Sequence, residues 1–286
     1  MKNEKPKRRR SPFFIFSFSF LIFSFAASGQ TITAYPWHSG PITESLAARF
    51  DPPQGFSRLP QPAGSFGEWL HGLPLFPGWG QVHLYDGSLK QDQEAHAAVL
   101  DIDVGAEDLQ QCADAVIRLR AEYLFAAHRE SEIVFHFTSG DKAAWTDWRK
   151  GLRPEVHGSK VSWKTAAKPD SSYGNFRAYL NKVFMYAGTM SLSKELKTVS
   201  DPSRVECGDV FIHAGSPGHA VLVVDMAENG KGERVFLLTQ SYMPAQQIEL
   251  LRTPLFPHSP WYPAHSSGVL ETPEWTFGYA DLKRFP

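Results

Sequence analysis

The sequence predicts a single α+β domain, with helices packed on an antiparallel meander, and three observations carry the prediction. The chain has 286 residues, 42% of them hydrophobic and 21% charged, the balance of an ordinary globular protein. Its two strongest helical periodicities, "DLQQCADAVIRLRAEYLFAAHR" and "SYGNFRAYLNKVFMYAG", both lie before residue 190. Three strand-like runs, "GDVFIH", "GHAVLVVD" and "RVFLLTQ", then follow one another across short Gly/Pro and Asn-Gly turns. Helices first and a meander after favours α+β over a doubly wound parallel sheet, in which strands and helices alternate.

The N-terminus stands outside that domain. "MKNEKPKRRR" is a basic n-region, Phe13 to Ala27 is a 15-residue apolar h-region, and Ala27 and Gly29 occupy the small-residue positions of a cleavage site. Residues 1–29 therefore read as a signal peptide and Gln30 as the mature start. An uncleaved membrane anchor is the alternative, but the apolar run is shorter than the ~20 residues a spanning helix needs. Export to the periplasm or the extracellular space is expected, without stable membrane insertion after cleavage. Residues 30–286 then carry 23 Lys and Arg against 29 Asp and Glu, a net charge of −6. That balance gives no electrostatic footprint for nucleic acid.

Along the mature chain, residues 30–95 are rich in Pro and Gly and read as an irregular lead-in, with "ITESLAARF" a short helix and "GQVHLYDG" a strand. The core is expected over 96–253. It opens with a strand at "AHAAVLDIDVG" and continues with the helix from Asp108, where Leu109, Cys112, Val116, Leu119 and Tyr123 form one apolar stripe. Asp108 and Gln111 have the spacing of a capping box. "SEIVFHFTSG" reads as a strand, "KAAWTDWRKGLRP" as a short helix, and 155–172 as a loop. The helix after it buries Phe176, Leu180, Val183, Phe184 and Ala187. Residues 254–286 read as a tail packing on the core.

Side chains alternate along a strand, so His219, Val221, Val223 and Asp225 are expected on one face. Pairing across the Asn229-Gly230 turn brings His219 opposite about Ser241, with Gln240 and Tyr242 one step away. A polar partner beside a histidine fixes its tautomer, as the third member of a catalytic triad does. Cys112, near a helix start, is the candidate nucleophile, because a helix N-terminus and a histidine both favour a thiolate. The opposing reading makes Cys112 a small hydrophobe on its stripe. Export permits a disulfide between Cys112 and Cys207, the two cysteines present. Hairpin register sets Cys207 ~16 Å from His219, so disulfide and dyad exclude each other.

Other constellations are weaker. His213 and His219 face each other across the turn near Asp209 or Asp225, but without a third ligand at recognisable spacing no metal site and no cofactor is expected. Asp101 and Asp103 share a strand face, as a carboxylate pair would and as solvated acids at a strand end would equally. Trp145 and Trp148, with Arg149 and Arg153, form either core or an aromatic lip for an extended ligand. Ser241 and Tyr242, in "QSYMPAQ", read as cleft lining.

"DLQQCADAVIRLRAEYL", "FHFTSGD", "AYLNKVFMYAGTMSL", "GDVFIHAGSPGHAVLVVDMA", "LLTQSYMPAQ" and "TPEW" together resemble a bacterial family of unknown function, the domain-of-unknown-function family numbered 4846. The resemblance runs from about Tyr35 to the C-terminus and implies no activity. A second resemblance is confined to the meander: "GDVF" followed by "GHAVLVVD" is similar to the paired strands of NlpC-like and CHAP-type cell-wall amidases. It implies a papain-like core, with His219 as catalytic base, Gln240 as its polar partner and a cysteine opening a helix as nucleophile. "QQCADAV" lacks the short motif those families place around that cysteine, and its 107-residue distance to His219 is longer than theirs. The expectation is thus a cysteine amidase or peptidase acting on cell-wall peptides, with a triad of Cys112, His219 and Gln240. The alternative is a non-catalytic envelope protein that binds a glycan or peptide through Trp145, Trp148, Ser241 and Tyr242.

Overall fold

The computed structural model of the protein describes residue 1 and residues 30–255 and 259–286. The leader expected over 1–29 lies, but for its first residue, outside them. No helix of the described residues is long and apolar enough to cross a membrane.

A nine-stranded antiparallel sheet dominates the molecule. Its strands in chain order are β1 Phe56–Arg58, β2 His96–Val99, β3 Lys197–Thr198, β4 Val210–His213, β5 His219–Asn229, β6 Arg234–Gln240, β7 Glu249–Leu251, β8 Tyr262–Pro263 and β9 Leu282–Arg284. The spatial order is β2-β7-β6-β5-β4-β9-β3, with β1 and β8 pairing the far ends of β5 and β6. Three two-stranded hairpins are added, at 134–144, 152–165 and 269–278. Among the described residues six α-helices pack around this framework: α1 Leu46–Arg49, α2 Phe66–His71, α3 Cys112–Ala126, α4 Trp145–Trp148, α5 Tyr173–Tyr186 and α6 Thr189–Glu195.

The expected α+β fold with a papain-like core is therefore corrected to a predominantly antiparallel sheet carrying six mostly short helices. Most of the extra strands run only two to four residues, too few for a period of two to register in sequence. Several come from segments that read as loop or tail, including the hairpin at 152–165 and strands β8 and β9.

Burial explains the core elements. Strands β5 and β6 are covered on both sides, so their sequence is nearly all apolar. One face of β5 (Ala220, Leu222 and Val224) packs with α2, α3 and α5 residues such as Trp69, Val116 and Phe176. Its other face (Val221, Val223 and Met226) joins Phe211, Phe236, Leu238, Phe277 and Tyr279.

The alternation breaks once. Val223 pairs with Leu238 and Asp225 with Leu237, leaving Val224 as an extra residue in a β-bulge. Asp225 thus shares its face with Leu237 and the helix-packed core, opposite to Val223. The expectation that Asp225 faces the same way as His219 fails for this reason.

Candidate functional site

The site forms where α3 begins and β5 begins. Cys112 is the first residue of α3, with Gln111 as an extended N-cap. The expected Asp108–Gln111 box is displaced by three residues: the Gln111 N–H donates to Asp114 Oδ2 at 3.1 Å. Asp108 Oδ1 instead accepts Gln111 Nε2 at 3.1 Å and the Ala245 N–H at 2.6 Å. Ser241 Oγ lies 2.7 Å from the Gln110 carbonyl and 2.9 Å from the Gln246 carbonyl. The start of α3 is thereby tied to the segment that leaves β6.

At that helix start the backbone N–H groups of Ala220, Ala113 and Cys112 itself act to lower the Cys112 thiol. Burial nevertheless pushes the thiol up to about 11. Asp114 adds to the push when ionised, although burial holds its own carboxyl well above the usual range. Both cysteines are free, so no disulfide competes for this sulfur.

His219 opens β5, paired in register with His213 across the turn. The turn is tight: a Cβ on Gly218 would lie 2.5 Å from Thr189 Oγ1 of α6 and 2.6 Å from the Gly215 carbonyl oxygen. The imidazole is buried against Tyr242, Trp275 and Phe277, with ring centroids 5.0, 5.4 and 5.8 Å away. Its Nε2 lies 2.8 Å from Gln240 Oε1. Burial pulls the imidazole down to about 4, the Gln240 contact partly opposing it.

The orientation of Gln240 follows from what stands behind it. Its Nε2 donates to Glu249 Oε1 at 2.9 Å and to Glu274 Oε2 at 2.6 Å. Those two oxygens also take Lys90 Nζ, each at 2.6 Å. Carboxylates accept only, so the amide NH₂ must face them and its oxygen must face His219. The imidazole then carries its proton on Nε2, and Nδ1 is left as the basic nitrogen.

Cys112, His219 and Tyr242 line one cleft of about 600 Å³, with Trp275, Met190 and Met243 among its walls. Among the described residues no hydrogen bond joins Cys112 to His219, and both groups rest uncharged at neutral pH. A thiol at a helix start and an imidazole of fixed tautomer in one cleft are groups that nucleophilic acyl transfer can use. A larger cleft of about 930 Å³ lies near Phe56, Arg204 and Trp261, beside the opposite ends of β5 and β6. Its lining holds no cysteine.

The structure places the remaining sequence candidates elsewhere. Trp145 and Trp148 do not reach the cleft: both pack in the core against Tyr179, and Trp145 is fully buried. Arg153 stacks on Trp148, 3.8 Å from the ring centre. The lip expected from these residues is core, because the helical spacing that groups the aromatics turns them inward. Ser241 is buried with its hydroxyl engaged, so it braces the cleft without lining it. His213 and His219 share no face with Asp225, so Asp225 does not join them.

The residues missed in sequence are Lys90, Glu249, Glu274 and Trp275. "TPEW" holds two of them, and its buried Thr272, whose hydroxyl lies 2.7 Å from the Trp275 carbonyl oxygen, fixes the turn that presents them. Only tertiary convergence joins these residues to His219.

A family model described as "Domain of unknown function (4846)" matches residues 46–284. No curated protein and no solved structure matches the chain.

Proposed function

The chain belongs to the domain-of-unknown-function (4846) family, and from that premise, which brings no activity with it, we propose that it is a cysteine hydrolase of amide bonds. Cys112 is the nucleophile, His219 the base and Gln240 the residue that orients the base. The observation that carries the reading is Gln240 Oε1 at 2.8 Å from His219 Nε2, in a cleft shared with a cysteine at a helix start. In the reaction the Cys112 proton passes to His219 Nδ1 as sulfur bonds to the carbonyl carbon. The imidazolium then protonates the departing amine as the C–N bond breaks, and water hydrolyses the thioester. Because thiol and imidazole both rest uncharged, charge separates only during attack.

The leader-like N-terminus supports export, and with it envelope peptides as substrates. The cleft lining combines Phe184, Tyr242, Trp275 and three Met side chains with small residues and Asp108 and Asp114, and holds no Lys or Arg among the described residues, which suits peptide stretches without acidic side chains. A second reading, a non-catalytic envelope protein that holds a peptide or glycan in the same cleft through Tyr242 and Trp275, is favoured by one observation: the resting pair is uncharged.

Reaction with 4-nitrophenyl acetate separates the two. The hydrolase forms an acetyl thioester on Cys112, seen as a mass increase on its peptide, with release of 4-nitrophenolate. His219→Ala slows that acylation by about 100-fold or more. Acylation of Cys112 at the same rate in His219→Ala refutes the hydrolase and leaves the binding reading.

A further inference from the structure

On the helix-packed face of β5, opposite the face of Val221 and Val223, three side chains of metal-ligand type converge. His71 ends α2, Cys207 precedes β4 and Asp225 stands at the β5 bulge, and their donor atoms all lie within 4.8 Å of one another. His71 Nε2 is 2.9 Å from Asp225 Oδ1 and 3.7 Å from Cys207 Sγ. We propose that His71, Cys207 and Asp225 bind a divalent transition-metal ion of the zinc type, with a fourth position open to solvent.

Without an ion, the three groups share a single imidazole nitrogen. One nitrogen, Nε2, faces both the carboxylate and the sulfur, and it carries at most one proton. An ion at the centre takes a lone pair from all three at once. The spacing fits: tetrahedral zinc with Zn–N and Zn–O of ~2.1 Å and Zn–S of ~2.3 Å sets its N···O and N···S edges near 3.4 and 3.6 Å. The observed N···S distance of 3.7 Å matches its edge, whereas the 2.9 Å N···O distance is the hydrogen-bonded one, which an entering ion would have to open.

Asp225 is already held as a single-oxygen ligand. Oδ2 accepts Arg58 Nε at 2.9 Å, and Oδ1 accepts the Met226 N–H at 2.7 Å while facing His71. Such outer partners orient a ligand and fix its lone pair. Helix α2 comes close enough to Cys207 that a Cβ on Gly67 would lie 2.9 Å from the cysteine Cβ. His71 and Cys207 both keep partial exposure, which gives an ion an entry path. Binding displaces the Cys207 thiol proton to solvent, so thiolate and carboxylate together neutralise the dication and Arg58 stays on the outer oxygen. Thiolate, imidazole and carboxylate in one set favour zinc over magnesium or calcium.

Titration of the chain with Co²⁺ tests the site. One equivalent is expected to give a thiolate-to-cobalt charge-transfer band that persists in Cys112→Ser, disappears in Cys207→Ser and is displaced by Zn²⁺. In the unsubstituted chain, Zn²⁺ is expected to slow iodoacetamide alkylation of Cys207 by about tenfold or more, a readout that needs no variant to fold. No band at excess Co²⁺, a band that survives in Cys207→Ser, or alkylation of Cys207 unchanged by Zn²⁺ overturns the site.

Discussion

Lys90→Met tests the electrostatic backing of His219 most directly. The Lys90 ammonium is 6% exposed and bridges Glu249, which is fully buried, and Glu274, which is 14% exposed. Met keeps the length of the apolar stem and removes the charge. Two carboxylates then share one Gln240 amide with no cation between them. Removing one partner of a buried ion pair costs about 3–5 kcal/mol. For a domain of this size that lowers Tm by roughly 6–20 °C.

The loss is pH-dependent, with a sign that follows from burial. Burial already holds Glu274 above the ordinary carboxyl range, with Lys90 pulling it back. Without Lys90 its folded value rises further above the unfolded value of ~4.3. A carboxyl raised in the folded state costs stability above its folded pKa, and the cost fades as pH falls towards the unfolded one. Thermal melts of both proteins between pH 5 and 8 are therefore expected to show the widest gap at pH 8 and a narrower one at pH 5. A gap of less than about 2 °C at every pH, or one that widens towards acid, would refute an ion-paired brace behind Gln240.

Three further outcomes are expected. Iodoacetamide modification of Cys112 should accelerate by about tenfold per pH unit from pH 7 to 9 without levelling, because the thiolate fraction climbs towards a thiol value of about 11; a plateau near neutrality would show a preformed ion pair instead. Trp145→Ala should cost about 3–5 kcal/mol in urea unfolding, whereas Tyr242→Ala, at the cleft wall, should cost under about 1.5 kcal/mol and slow acylation of Cys112. The reverse order would put Trp145 back at a binding surface. Gly218→Ala should cost about 1–3 kcal/mol through the contact with Thr189 and Gly215, and an unchanged urea midpoint would show that the turn has room for a Cβ.

What the sequence makes legible depends on element length. Helices α3 and α5 span four turns each, long enough for the 3.6-residue period to name Val116, Leu119, Phe176, Leu180 and Val183 as buried. Strands β5 and β6 are long enough to be read as a pair around Asn229-Gly230, and the same alternation brings Gln240 beside His219. One bulge is enough to move Asp225 to the opposite face, and nothing in "AVLVVDMA" marks where the extra residue falls. Helix α2 has a local signal in Ser65-x-x-Glu68: Ser65 Oγ accepts the Glu68 N–H at 3.1 Å, and Glu68 Oε2 accepts the Gly64 N–H at 2.6 Å. Lys90 and Glu274 have none, since 184 residues separate two side chains that meet only through the sheet.

The bulge also gives β5 a double duty that simple alternation forbids. An unbulged strand carrying His219 and Asp225, six residues apart, would show both to one core. With Val224 inserted, the imidazole packs with Trp275 and Phe277, while the carboxylate packs with α2 and β1 residues His71 and Arg58. Each polar group thus has partners suited to it: a neutral amide for an imidazole that rests uncharged, and a guanidinium for a fully buried carboxyl group. Exchanging the faces would set the Arg58 charge beside His219, which burial already holds near 4, and would suppress its basicity further. Separating the two groups across the sheet lets one strand hold an ion-paired cluster and an uncharged imidazole without either perturbing the other.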